Sequence, residues 1–115
     1  MSEQPLLRAD ASAMISLEPE TNYAPNGIVS RTLLATPSVR LVLFGFDAGQ
    51  ELTEHTSPHH ALVQVLSGGC DFTVDGVVHA MQAGDLLHMA PGAPHAVRAR
   101  ERFSMLLTLG RTAKP

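Results

Sequence analysis

GQELTEHTSPHHALVQVLSGG (residues 49–69) and AGDLLHMAPGAPH (residues 83–95) hold the pattern from which the rest of the chain can be read. His55, His59 and His60 stand in the first segment and His95 closes the second. Glu51 to Ser57 is a polar strand in an otherwise apolar sequence, as expected of a barrel wall that carries a polar site or of a solvent-facing edge. Alternation puts His55 and Ser57 on one face, joined by His59 if the chain stays extended through Pro58. Ala61 to Leu66 (ALVQVL) predicts a strand closed by Ser67-Gly68-Gly69. Asp71 to Asp75 and Val77 to Met81 flank Asp75-Gly76, a type I′ hairpin signal. Gln82 to Asp85 is a turn and Leu86 to Met89 a strand. The prolines of Ala90-Pro91-Gly92-Ala93-Pro94 stiffen the loop before His95, which opens the strand HAVRA.

The same grammar extends outward. Upstream, Val39 to Phe46 (VRLVLFGF) is too short for a typical helix and rich in strand formers. Gly45 inside it marks a bulge or a close backbone approach. Ile28 to Ala35 predicts a strand ending before Pro37. Glu18 to Gly27 is dense in turn formers and reads as a loop. Ala13 to Leu17 predicts a short edge strand, and residues 1–12 a loose arm. Downstream, Arg100-Glu101 is a turn and Phe103 to Leu109 alternates. The tail from Gly110 is expected to fray. About ten short strands separated by turns predict an all-β sandwich or barrel, with no convincing helix and no internal repeat.

The 115 residues fit one domain, 1–115, and 44% hydrophobic content supplies a core. A net charge of −3 without a basic run argues against nucleic acid or an anionic membrane surface as partner. Cys70 is the only cysteine, so no intrachain disulfide forms. The start MSEQPLLRAD lacks a signal-peptide pattern, and no apolar run approaches the roughly 20 residues of a membrane span. A cytoplasmic protein is the expectation.

The two segments resemble the two-motif signature of the cupin family. Its first motif, G-x5-H-x-H-x(3,4)-E-x6-G, is matched by Gly49, His55 and Gly68 or Gly69. Its second, G-x5-P-x-G-x2-H-x3-N, is matched by Gly84, Gly92 and His95. Ser57 stands at the second histidine of the first motif and Ala61 (or Leu62) at the glutamate. Ala90 and Ala99 replace the proline and asparagine of the second. The resemblance implies a double-stranded β-helix (jelly-roll) barrel and a homodimer. It also implies that His55 and His95 are metal ligands, while the other two ligand roles do not carry over.

His59 or His60 can complete a three-histidine site for a divalent transition metal (Zn, Fe, Ni, Mn or Cu), since imidazole suits these ions. His60 turns inward only if the strand register slips by one, which turns Gln64 inward too. Ser57, Gln64 and His88 are then candidates to contact the metal's surroundings or a small organic ligand. His79 reads as a surface residue of its hairpin. Cys70, beside Asp71, reads as structural rather than reactive. The run Arg98, Arg100, Glu101, Arg102 reads as a solvated hairpin end, with anion binding as the alternative. Three functions stay open, of which a purely structural dimer is the one that the polar strand Glu51 to Ser57 speaks against. Another is a metal-dependent site with dioxygenase- or isomerase-like chemistry implied by the resemblance. The third is a metal-free small-molecule-binding or sensor module.

Overall fold

A computed structural model describes residues 4–111. Its strands form two antiparallel sheets packed face to face. The first sheet begins at the edge strand β1 (Ile28–Ala35), which pairs with β2 (Val39–Phe46). The chain then crosses to the second sheet with β3 (Glu51–His55) and returns with β4 (His60–Ser67). β5 (Gly69–Val74) and β6 (Val77–Gln82) make a hairpin of the second sheet. β7 (Leu86–Met89) goes back to the first, β8 (His95–Ala99) to the second, and β9 (Phe103–Gly110) to the centre of the first. The resulting orders are β1-β2-β9-β4-β7 and β3-β8-β5-β6. This repeated crossing is a jelly roll, as expected from the sequence.

Alternation decides what fills the space between the sheets. In β4, Ala61, Val63 and Val65 are buried while His60, Leu62 and Gln64 are exposed. Phe46 from β2 and Phe103 from β9 are fully buried, with ring centroids 4.6 Å apart. Phe72, Val97 and Met81 meet them from the second sheet. Each such side chain contributes about 1.5–3 kcal/mol through removal from water. The interior is therefore mostly carbon. At the hairpin turn Asp75 (φ 51°) and Gly76 (φ 78°) both adopt positive φ, as a type I′ turn requires.

Several expectations are corrected. Residues 13–16 form no strand, and the chain makes one helical turn, α1 (Leu17–Glu20), where a loop was expected. Nine strands are present among the described residues rather than about ten. The strand expected over residues 51–57 ends at His55. The N-terminal arm is tied down, because Leu6 N–H donates to the Thr32 carbonyl and Leu7 N–H to that of Leu33. Gly110 still belongs to β9, and the Arg111 amide donates to the Ser38 carbonyl. The remainder of the expected frayed tail, and residues 1–3 of the arm, lie outside the described residues. Gly45 makes the close approach: the Asn22 carbonyl oxygen occupies the space its Cβ would need. No helix among the described residues is long and apolar enough to cross a membrane.

Candidate functional site

β3 pairs with β8, and a bulge in β3 sets which side chains enter the barrel. Leu52 sits opposite Val97 and His55 opposite His95. Three steps along β3 thus match two along β8. Strict alternation would put Leu52 and His55 on opposite faces. The extra residue restores His55 to the inner face beside His95.

The two imidazoles meet edge to face, with centroids 4.2 Å apart. His95 is 8% exposed and also stacks on Phe72, with centroids 6.2 Å apart. His55 lies at the open rim. Each ring is oriented in the same way. His55 Nδ1 lies 2.8 Å from the Thr53 carbonyl oxygen, and His95 Nδ1 lies 2.9 Å from that of Ala93. A carbonyl oxygen only accepts, so in both rings Nδ1 carries the proton. Both Nε2 atoms of the neutral pair therefore present lone pairs, able to accept a hydrogen bond, take up a proton or ligate a metal.

The other candidates go elsewhere. Ser57 Oγ accepts the His59 amide at 3.2 Å, and the Ser57 carbonyl accepts the Gly92 amide at 2.8 Å, tying the two motif segments together. His59 faces a separate cleft between the β1–β2 turn and the end of β9. His60 and Gln64 occupy outward alternates of β4. The inward slip is not made, because Ala61, Val63 and Val65 claim the core face. His60 stacks on His88 of β7 with centroids 5.5 Å apart, and its Nδ1 lies 3.2 Å from His88 Nε2. His88 is likewise exposed, as is His79 on β6. The structure thus brings His55 and His95 together and places His59, His60, Gln64 and His88 apart from them.

The donor set at the pair falls short of what a metal needs. Open metal centres usually keep three protein ligands. Here Ser57 is engaged with backbone, and Ala61, 3% exposed, offers only a methyl group. Among the described residues no group of three or more His, Cys, Asp or Glu is placed to hold an ion. The pair alone does not make a complete protein-held centre.

Within the arginine run, Arg100 and Arg102 are engaged with the fold. Arg100 donates to the Cys70 and Met81 carbonyls and pairs with Asp71. Arg102 lies 3.6 Å from Asp47 and covers the Tyr23 ring at 4.7 Å. Two residues escaped the reading of the sequence. Phe72 backs His95, which only the β5–β8 register reveals. Arg40 lies on the same face as Leu109, an inner-face residue, so alternation within VRLVLFGF could have marked a charge on an apolar side.

A family model described as Cupin domain matches residues 42–109. The chain belongs to the cupin family. Solved structures share the fold. The conserved SPY1581 protein of unknown function from Streptococcus pyogenes is 31% identical over 99% of this chain and 98% of its own, with a TM-score of 0.84. A Cupin 2 conserved barrel domain protein from Leptotrichia buccalis is 34% identical over 84% of this cupin and 47% of that chain, with a TM-score of 0.80. A cupin superfamily protein from Desulfitobacterium hafniense shares the fold at 22% identity, covering 95% of this cupin and all of its own chain, with a TM-score of 0.83. No curated protein matches the chain.

Proposed function

We propose that this cupin is a small-molecule-binding module whose ligand docks at the barrel rim against His55 and His95, without a resident metal. The observation that carries this reading is the touching pair with both Nδ1 atoms committed to carbonyls. Two lone pairs on neighbouring rings suit a ligand with hydroxyl or amide donors. The apolar backing of Phe72 excludes water from one side and strengthens those hydrogen bonds. The incomplete donor set favours this over a metal centre.

A second reading has an observation of its own. Metal-ligating histidines almost always donate their other ring N–H to a carbonyl or carboxylate, and both rings do so here. In that case the pair would supply two ligands to a divalent transition metal, with dioxygenase- or isomerase-like chemistry as the corresponding activity. The homodimer implied by the family is part of either reading. Exposed Leu62 and Leu86 on the outside of the first sheet suit it.

Elemental analysis of protein purified without an affinity tag, together with a small-molecule screen read by melting temperature, tests both. The expected result is no stoichiometric metal, and a compound that raises the melting temperature of the wild type but not of His55→Ala. Stoichiometric metal lost in both His55→Ala and His95→Ala would replace the first reading with the second.

A further inference from the structure

Arg40 and Arg111 are the unusual charges of this molecule. Arg40 stands at the start of β2, across from Leu109, and its Nη2 donates to Thr32 Oγ1 at 3.2 Å. Arg111 follows the last residue of β9, and its amide is pinned to the Ser38 carbonyl at 3.1 Å beside the β1–β2 turn. The two arginines and His59 line one cleft of about 250 Å³, whose other walls include Thr36, Val39 and Leu109. No carboxylate is among its described lining residues. The ion pairs among the described residues use Arg8, Arg31, Arg100 and Arg102, and neither Arg40 nor Arg111 takes part in one.

Two guanidinium groups sharing a part-enclosed cleft repel each other, and a bound anion converts that repulsion into attraction. The planar fork of arginine matches the oxygens of a carboxylate or phosphate, and hydrogen bonds to such charged groups are the strong ones. The cleft lies just below the range of about 300–1,000 Å³ typical of drug-sized ligands, so it fits a molecule of few heavy atoms. Val39 and Leu109 offer an apolar wall to a short hydrocarbon stem.

We propose that this cleft is an anion site, taking a carboxylate or phosphate group carried on a short apolar stem. It rests on Arg40 and Arg111 and is independent of the His55–His95 reading, so either can fail alone.

The full chain is titrated separately with inorganic phosphate and with butyrate, at ionic strength held constant with sodium chloride, following backbone amide shifts by ¹H–¹⁵N NMR. Saturable shifts at Val39, Arg40, His59, Leu109 and Arg111 are expected with at least one probe, and the probe that saturates identifies the group. Arg40→Gln and Arg111→Gln should each weaken binding by about tenfold or more, the worth of one charge-assisted hydrogen bond. His55→Ala should leave it unchanged. Arg111→Gln, altered beyond the end of a strand, keeps the test valid if Arg40→Gln loses its fold with the Thr32 contact. Shifts that chloride reproduces, that neither arginine variant reduces, or that fail to appear with both probes overturn the proposal.

Discussion

His95 carries an imidazole into a mostly apolar core, held by the Ala93 carbonyl and packed against Phe72 and His55. Its burial and the exposure of its partner predict unequal effects. His95→Ala should lower stability by about 2 kcal/mol or more, because it opens a cavity. His55→Ala should cost under about 1 kcal/mol. Urea unfolding with an unchanged slope would measure both. Cys70 is a second residue whose chemistry follows from place. Burial pushes its thiol up to about 11, with Arg100 opposing and Asp71 adding to the rise. It stays protonated at neutral pH, so iodoacetamide should leave the folded protein unmodified and alkylate it promptly in urea. The sequence suggested an inert thiol from Asp71 alone. The larger cause, enclosure between the sheets, becomes visible only once the register of β5 is known.

At the scale of the element, two features of β2 and its following turn support predictions. Gly45 lets the Asn22–Tyr23 segment lie directly on the sheet. Gly45→Ala must push backbone against backbone and should destabilise by about 1–3 kcal/mol, read as a lower melting temperature. Asp47, just after β2, accepts hydrogen bonds from the Asn26 amide at 2.7 Å and the Ala48 amide at 3.0 Å. These bonds, led by Asn26 and aided by Arg102, hold its carboxyl below the usual 3.8. Such a group stabilises the fold while ionised. Its contribution is complete above the ordinary carboxylate range and is lost as pH falls through the lowered value. The melting-temperature gap between wild type and Asp47→Asn should therefore be constant near neutrality and close on acidification. Period-two alternation made β4 and β9 legible, because their buried and exposed residues differ in kind. The bulge in β3 was not legible. An extra residue reverses the parity of everything beyond it, and Thr53 and Glu54 give no compositional sign of that.

For the molecule as a whole, turn chemistry and strand length were enough to anticipate an all-β sandwich or barrel, since glycine, proline and Asp-Gly punctuate nearly every crossing, and the jelly roll itself came from the family resemblance. The convergence of His55 and His95 followed from the family signature and is met in the structure as direct ring contact. The Arg40–Arg111 cleft did not follow, because it joins the start of β2 to the end of β9, partners far apart in the chain with no motif between them. Backbone pairing without side-chain character is equally silent in a sequence, and the N-terminal arm is the clearest case. Leu6 and Leu7 lie along the outer margin of β1, with two hydrogen bonds to the Thr32 and Leu33 carbonyls. Clipping the chain behind them would spare the hydrophobic interior yet bare the Thr32 and Leu33 carbonyls, turning a covered sheet margin into a template on which other strands can stack.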